Sequence, residues 1–213
     1  MSAFIPNSET LKKVSSLEVL DASGKQTRFG SFFEDQRVIV VFIRRSTGHF
    51  FCGNCQLYVS QLSSEYEKLR KNFEEAQIDI VVVGCGEWQP IDNYSGVFHG
   101  LGMDVKTLAR TPTGEKKASY ITEGIVKGSL WSIWVNVKPL VFNLLLTWVP
   151  KRALKNPSHI GKQGNFAQLG GEFILGPGNQ CSFAHRMRHT EDHAEIQVLL
   201  ENAGIQSISP TNN

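Results

Sequence analysis

The sequence has little of what would indicate a disulfide-stapled, nucleic-acid-binding or membrane-spanning protein. Four cysteines are too few for a disulfide framework in 213 residues. The formal net charge is only +2, and no charged run is long enough to indicate a nucleic-acid partner. The most apolar stretch, residues 129–150, is interrupted by polar residues and by Pro139, so it lacks the roughly 20 apolar residues of a transmembrane helix. We therefore expect neither a nucleic-acid partner nor contact with a membrane.

The first residues also lack the basic segment, apolar core and cleavage site of a secretory signal. We therefore expect a cytoplasmic location, where thiols stay reduced and a close cysteine pair usually serves catalysis, redox sensing or metal binding. The length is that of one ample domain, and we predict a single domain over residues 1–213.

Two β-branched runs flank a helical pattern near the centre of the amino-terminal half. Residues 37–43 and 78–84 are typical of strands buried on both faces. From residue 52 the apolar residues recur at helical spacing, at Leu57, Val59, Leu62, Tyr66, Leu69 and Phe73. This order predicts a βαβ unit with parallel strands and a right-handed crossover.

The remaining patterns complete an α/β fold with a central mixed sheet flanked by helices. Residues 16–20 and 26–29 predict a hairpin, residues 88–100 a short helix and residues 105–108 a strand, followed by a turn at 112–114. A second hairpin is predicted at 172–185, and a last helix from an N-cap at Thr190 through Ala203. Between about residues 119 and 170 we expect a helical insertion, with two short amphipathic helices separated at Pro139.

The sequence from Cys52 to Cys55 carries the predicted chemistry. A Cys-x-x-Cys at the start of a helix, directly after a buried strand, indicates a thioredoxin-like redox motif. The helix amino terminus favours an anion, and the thiolate is the nucleophile. We therefore expect Cys52 to be the exposed nucleophile and Cys55, one turn away, to be the more buried resolving thiol.

Two other interpretations of the cysteines remain open. The pair could be a chance occurrence in a core, or Cys85 and Cys181 could join Cys52 and Cys55 in a zinc or iron–sulfur site. Cys85 is predicted at the end of the strand beside the motif strand. We favour no metal and no cofactor, with Cys85 and Cys181 as inert core cysteines.

Basic residues precede the pair and recur near the carboxyl terminus. Arg44, Arg45 and His49 lie just before Cys52, where one arginine at most is expected to hold the thiolate or orient a peroxide oxygen. Later, three histidines and two arginines recur between residues 185 and 193. There we expect surface and capping roles, with His185 facing the cleft.

Two sequence blocks resemble the AhpC/TSA-type peroxiredoxin-like proteins with a Cys-x-x-Cys motif, a group that includes the prostamide/prostaglandin F synthases. They are residues 38–55 and 164–193, which contain Gly-Gly-Glu-Phe-Ile-Leu-Gly-Pro-Gly, Phe-Ala-His-Arg and Asp-His-Ala. The resemblance implies a thioredoxin fold and a two-electron thiol cycle at Cys52 and Cys55. His49 stands where peroxiredoxins place a threonine. Leu169-Gly170-Gly171 replaces the cis-proline of thioredoxins, and glycine there is expected to leave room for a larger substrate.

These observations predict a thiol-dependent oxidoreductase that reduces a peroxide or endoperoxide. Its expected partners are a peroxide or hydrophobic small-molecule substrate and a thioredoxin-type reductant. The aromatic insertion either lines the substrate site, covers the sheet or forms a homodimer face. Two alternatives stay open, a metal-binding electron carrier and a biosynthetic enzyme that works without thiol turnover.

Overall fold

The structure is a computed structural model that describes residues 5–43, 53–84, 91, 106–110, 169–189 and 191–206. Several predicted features lie outside these residues. They are the 112–114 turn, nearly all of the 88–100 helix and the part of the insertion before Leu169. Among the described residues, no helix is long and apolar enough to cross a membrane.

Seven strands in the described part of the chain form one mixed sheet, in the order β2-β1-β5-β4-β3-β6-β7. Their bounds are β1 Glu18–Leu20, β2 Gln26–Arg28, β3 Arg37–Phe42, β4 Ile78–Gly84, β5 Lys106–Arg110, β6 Gly171–Leu175 and β7 Cys181–Arg186. β3, β4 and β5 run parallel, whereas β6 is antiparallel to β3 and β7 to β6. The predicted βαβ unit, both hairpins and the mixed sheet are confirmed.

The two faces of the sheet carry separate cores because successive side chains of a strand point to opposite sides. On one face, Ile39 and Val41 of β3 and Ile174 of β6 pack against α2 (Gly53–Lys68), α3 (Arg70–Ala76) and α4 (Ile196–Asn202). We call this the α2 face. On the other face, Val40 and Phe173 pack against α1 (Ser8–Ser15) and the 3-10 turn Phe29–Phe32.

The helical pattern between β3 and β4 folds as two helices, which the sequence presented as one. The predicted apolar positions from Val59 onward are buried or partly buried, but Leu57 is 61% exposed. Its placement on the buried side was therefore wrong. Leu57 lies three residues after Asn54 and four before Gln61, so it belongs to the outer side of α2 with these polar residues.

The last helix is shorter than the sequence indicated, and its predicted start was wrong. α4 begins at Ile196, and residues 191–195 are not helical. The reason is a buried contact described below, in which the Ala194 N–H bonds to a strand carboxylate instead of to a helix carbonyl. α1 was not predicted. It buries Leu11 and Val14, and its N-cap Asn7 accepts a hydrogen bond from the Thr10 N–H.

Candidate functional site

The Cys-x-x-Cys motif runs into the amino terminus of α2. The helix begins at Gly53, and Cys55 lies in its first turn with only 1% of its surface exposed. Cys55 packs in the same core as Val41 and Ile43, at the end of β3 from which the chain continues into the motif. The predicted burial of Cys55 is confirmed, and its resolving role stays a prediction. The other predicted site residues, Arg44, Arg45, His49 and Cys52, lie outside the described residues, as does Cys85.

The two glycines before β6 are required by close backbone packing. A Cβ at Gly170 would collide with the Phe42 carbonyl oxygen, and one at Gly171 with the His185 carbonyl oxygen. The expectation that they leave room for a larger substrate was therefore wrong, since the neighbouring strands already occupy that space. They bring the start of β6 against the end of β3, beside the motif.

A carboxylate is buried on the α2 face of β6, the strand next to the edge strand β7. Glu172 of β6 is 0% exposed, and the rest of that strand is also buried. Its Oε1 lies 2.6 Å from His193 Nδ1, and its Oε2 accepts a 3.0 Å hydrogen bond from the Ala194 N–H. Burying a carboxylate is costly unless it is paired and hydrogen-bonded, so these two contacts account for its position. They also keep the segment before α4 out of the helix.

The His193 ring is enclosed by α2. It stacks on the Tyr58 ring with centroids 4.3 Å apart and planes 9° from parallel. Only 7% of the His193 side chain is exposed. Burial raises the pKa of Tyr58, and the nearby charge of Glu172 raises it further. Among the described residues, neither His193 Nε2 nor Tyr58 Oη has a hydrogen-bond partner.

A groove of about 580 Å³ runs beside the first turns of α2. Asn54 and the exposed Leu57 line one side, and Glu191 and Ile196 line the other. Asn54 Nδ2 donates to Glu191 Oε1 at 3.3 Å, which ties the start of α2 to the opposite wall. His193 lines this groove. The groove therefore opens next to the turn that carries Cys55.

His185, which was expected to face the cleft, has a different role and is not among the groove-lining residues. Its Nε2 lies 2.8 Å from the Asp192 carbonyl oxygen. Arg188 donates to the Asp192 carboxylate from its backbone N–H and its guanidinium, at 2.8 and 2.7 Å. The hydrogen bonds from Arg188 are the main reason that the pKa of Asp192 lies well below its usual range. This arrangement fixes the loop that carries His193.

Cys181 lies far from the motif. It is at the start of β7, paired with Leu175 and packed against the core opposite the α2 face. The site end of β7 is five residues further on, or about 17 Å. Burial raises the pKa of the Cys181 thiol to about 11, and its Sγ donates to the Phe183 carbonyl oxygen at 3.0 Å. A metal site that includes both Cys55 and Cys181 is therefore excluded. No group of three or more candidate metal ligands occurs in the part of the chain that the structure describes.

Signals for the site beyond the cysteines were present in the sequence. Glu172 is the only charged residue in the predicted strand 172–175. A charge inside an apolar strand predicts a buried partner. His193 was noted as one of a cluster, but nothing in its spacing indicated that it pairs with Glu172. Tyr58 was not singled out.

Comparison with known proteins gives the family. The family model described as "AhpC/TSA antioxidant enzyme" matches residues 61–189, which begin after the Cys-x-x-Cys motif. Human Peroxiredoxin-like 2C is 31% identical over 212 residues, covering 93% of this chain and 82% of that protein. Peroxiredoxin-like 2C of Takifugu rubripes is 25% identical over 209 residues, covering 92% of this chain and 82% of that protein.

Solved structures support the same fold. The bacterioferritin comigratory protein of Xanthomonas campestris, whose alkyl peroxide reduction has been studied, superposes with a TM-score of 0.53 at 13% identity. The superposition covers 91% of this chain and 93% of the Xanthomonas protein. A mutant of peroxiredoxin 6 from Arenicola marina gives a TM-score of 0.56 at 10% identity, covering 95% of this chain and 73% of that chain. At such low identities the superposition shows the fold alone. From its sequence relatives and its thioredoxin-like architecture, the chain belongs to the AhpC/TSA family of peroxiredoxin-like proteins.

Proposed function

We propose that the protein is a thiol-dependent oxidoreductase that reduces the O–O bond of a peroxide or endoperoxide through Cys52 and Cys55. The observation that carries this proposal is the position of Cys55, buried in the first turn of a helix that begins at Gly53. Family membership gives independent support for peroxidase-like chemistry. The groove beside Asn54 and Leu57 gives a second molecule access to this end of α2.

The proposed cycle balances with two thiols and one external reductant. With a hydroperoxide, the Cys52 thiolate attacks the terminal oxygen, the O–O bond breaks, and the other oxygen takes a proton and leaves as water or an alcohol, so that Cys52 becomes a sulfenic acid. The Cys55 thiolate then attacks the sulfenic sulfur, and the departing hydroxide takes a proton and leaves as water to give the disulfide. With an endoperoxide both oxygens stay on the substrate, so Cys52 forms a sulfenate ester with one of them, and attack by Cys55 releases that oxygen as a second alcohol. A thioredoxin-type dithiol reduces this disulfide by exchange. We propose the cytoplasm as the location because its reductants keep thiols reduced.

Arg44, Arg45 and His49 keep the roles that the sequence suggests. We propose that one of the arginines stabilises the Cys52 thiolate or the peroxide oxygen, since a guanidinium is always charged and donates several hydrogen bonds. Single Arg44→Ala and Arg45→Ala variants separate the two, because only one should slow the oxidation of Cys52. His49→Thr restores the residue type that peroxiredoxins place there, and it is expected to raise the rate with hydrogen peroxide.

The test follows the redox state of each cysteine in protein purified without oxygen. The reduced chain is treated with hydrogen peroxide or a lipid hydroperoxide, alkylated, and analysed by mass spectrometry, before and after addition of a thioredoxin system. We expect a Cys52–Cys55 disulfide that thioredoxin reverses. Cys52→Ser should abolish oxidation, whereas Cys55→Ser should accumulate the Cys52 sulfenic acid. Two thiols that stay unmodified with every peroxide would overturn the proposal.

The same preparation tests the two alternatives. Stoichiometric zinc or iron by elemental analysis, with both thiols protected from alkylation, would favour a metal-binding carrier. Turnover of a hydrophobic endoperoxide that survives Cys52→Ser and Cys55→Ser would favour a biosynthetic enzyme without thiol chemistry. Sedimentation of the same protein determines whether it forms a homodimer.

A further inference from the structure

Two lines of side chains form the groove beside the motif helix. Along α2, residues at helical spacing form one wall, namely Asn54, Leu57, Tyr58 and Gln61. Residues of the segment 191–197, which leads into α4, form the opposite wall. Because Asn54 directly precedes the buried Cys55, the groove reaches the turn that carries the motif. A molecule in the groove therefore lies next to the predicted site of thiol–disulfide exchange.

The groove is open rather than enclosed. Most of the side chains that line it are exposed, namely Asn54, Leu57, Gln61, Glu191, Glu195 and Gln197. A pocket for a small molecule usually surrounds its ligand with apolar side chains. Here the exposed lining consists of carboxamides, carboxylates and one leucine. Polar sides around an apolar contact are typical of a surface that binds another protein.

Leu57 is the apolar contact of this surface. It is 61% exposed, more than any other large apolar side chain in the described part of the chain. A single exposed leucine needs no explanation by itself. Leu57, however, lies two residues after Cys55 and on the same wall as Asn54. An apolar side chain placed on it is therefore held beside the motif.

Two carboxylates give the groove a negative charge that no described basic residue pairs with. Glu191 accepts a side-chain hydrogen bond from the neutral amide of Asn54, at 3.3 Å. Glu195 makes no ion pair with a described basic residue, whereas Asp192 of the same segment is paired with Arg188. Carboxylates that line a groove raise the local concentration of cations and repel anions.

The other groups at the groove do not reverse this charge. Its described lining contains no lysine or arginine. His193 is hydrogen-bonded to Glu172, and such a pair carries one negative charge, or none once it takes up a further proton. The groove is therefore complementary to a partner that presents basic and apolar side chains.

We propose that this groove docks a basic segment of the dithiol protein that reduces the motif disulfide. Lysine or arginine side chains of the partner pair with Glu191 and Glu195, and an apolar side chain covers Leu57. The inference rests on the thiol cycle proposed above and names the surface that serves its reductive step. A peroxide reaches a sulfur by diffusion, but exchange between two proteins requires that their surfaces stay together while the sulfurs react. Complementary charge speeds their encounter and fixes their orientation.

The reductive step balances with the two thiols of the partner. A partner thiolate attacks one sulfur of the Cys52–Cys55 disulfide, the S–S bond breaks, and the released thiolate takes a proton. The partner's second thiolate then attacks the partner's first sulfur in the mixed disulfide, which frees the other motif cysteine as a thiol after protonation. The motif gains two electrons and two protons, and the partner becomes a disulfide. The groove residues position the partner and take no part in the bond changes.

Binding of charged peptides to the full chain tests the docking surface without any thiol chemistry. Two cysteine-free fluorescent peptides of equal length and equal apolar content are compared, one with lysines where the other has glutamates. Fluorescence anisotropy at low salt should show that the lysine peptide binds about fivefold more tightly, a preference that shrinks as salt screens the charges. Glu191→Gln combined with Glu195→Gln should reduce this preference to within about twofold.

Two further variants separate the charges from the apolar contact. Leu57→Ser should weaken the binding of both peptides alike, by about threefold, because each loses the same apolar contact. Glu75→Gln makes the same chemical change at an exposed carboxylate of α3 that does not line the groove, so it is the matched control. It should leave the preference unchanged. Every substituted side chain is exposed, so we expect all variants to fold, as circular dichroism can check.

A second measurement connects docking to exchange. The full chain is oxidised with diamide and then treated with versions of the two peptides that carry a pair of cysteines, or with dithiothreitol as an uncharged reductant. Alkylation and mass spectrometry follow the return of the motif thiols. We expect the double glutamate variant to slow reduction by the lysine peptide about fivefold and to leave reduction by dithiothreitol unchanged.

The outcomes separate the docking surface from the thiol cycle. Equal binding of the two peptides, or a preference that survives the double variant, overturns the docking surface. Equal slowing with dithiothreitol also overturns it, since the carboxylates then act on the disulfide itself. No binding of either peptide, with slower oxidation of the double variant by a lipid hydroperoxide, would assign the groove to the peroxide instead. A wild type whose motif forms no disulfide with any oxidant overturns the cycle, whereas the anisotropy result still reports on the groove.

Discussion

The His193 imidazole lies flat on the Tyr58 phenol ring, with centroids 4.3 Å apart. This contact joins the motif helix α2 to the segment before α4, two parts of the chain separated by most of its length. Because Glu172 holds the other side of the imidazole, the stack links helix, loop and sheet in one buried unit. The contribution of the Tyr58–His193 stack to stability can be measured separately from any role of these residues in catalysis.

Two variants of Tyr58 separate ring packing from the hydroxyl. Tyr58→Phe keeps the stacked ring and removes a buried Oη that has no partner among the described residues. We expect the free energy of unfolding to stay unchanged or to rise by up to about 1 kcal/mol. Tyr58→Ala empties the site and should lower it by about 3 to 5 kcal/mol. Urea denaturation measures both values. A loss of more than about 1 kcal/mol in Tyr58→Phe would show that the hydroxyl has a native partner.

The glycine at position 170 is expected to tolerate no side chain. A Cβ there meets the Phe42 carbonyl oxygen, which belongs to the interior strand β3 and cannot move alone. Gly170→Ala should lower the free energy of unfolding by about 2 kcal/mol or more, as overpacking does. Gly178→Ala is the matched control. At Gly178 the space is open and only the φ of +69° is unfavourable, so the loss should be nearer 1 kcal/mol. Equal losses in the two variants would contradict the close approach.

The Asp192 carboxylate is expected to stabilise the fold in a pH-dependent way. Its pKa in the folded chain is lowered, first by the Arg188 hydrogen bonds, so its contribution is present above its unfolded pKa of about 3.9. That contribution is lost as the pH falls towards the folded value. At pH 7, Asp192→Asn should lower the free energy of unfolding by about 1 kcal/mol, a modest figure because Arg188 is largely exposed.

Urea denaturation at several pH values tests this dependence. The difference between the wild type and Asp192→Asn should shrink as the pH falls from 5 to 2. Glu9 is a suitable control, since its carboxylate also pairs with a basic side chain but lies in solvent. Glu9→Gln should change stability less than Asp192→Asn does. A difference for Asp192→Asn that stays constant down to pH 2 would contradict the lowered pKa.

Cys181 is expected to be chemically inert. Burial raises its pKa to about 11, so at pH 7 almost none of it is thiolate. In the folded protein, Cys181 should react with iodoacetamide far more slowly than a free thiol, and peptide mapping of the alkylated chain shows this directly. Cys181→Ala should leave peroxide turnover unchanged. Rapid labelling at Cys181, or a lost cycle in Cys181→Ala, would contradict its placement away from the site.

The sequence predicted the elements whose pattern is local. β3, β4 and the second hairpin could be predicted because β-branched runs favour strands and a Gly-Pro-Gly sequence favours a turn, whatever the rest of the chain does. Leu57 was misplaced for the opposite reason. Helical spacing identifies a set of apolar residues, but the neighbouring segment determines which side of the helix is covered, and here Leu57 lines the groove.

The errors near the carboxyl terminus have one physical cause. Thr190, followed by two acidic residues, matches a helix start, and that local preference predicted a helix from there. The buried carboxylate of Glu172 competes for the Ala194 N–H and the His193 side chain, and residues 191–195 stay outside the helix. Two residues that are distant in sequence decided the conformation, and no spacing rule could reveal their pairing.

The position of β3 in the interior of the sheet, between β4 and β6, has a consequence for how the chain is made. Its partner β6 lies near the carboxyl terminus, and Arg37 at its start donates to the Ala203 carbonyl across 166 residues of sequence. While the ribosome is still synthesising the intervening segment, one edge of this apolar strand is without its neighbour. Unpaired apolar edges recruit other chains, and contacts this distant form late. A nascent chain stalled before β6 should therefore bind a chaperone more readily than the finished chain, in which both edges of β3 are paired.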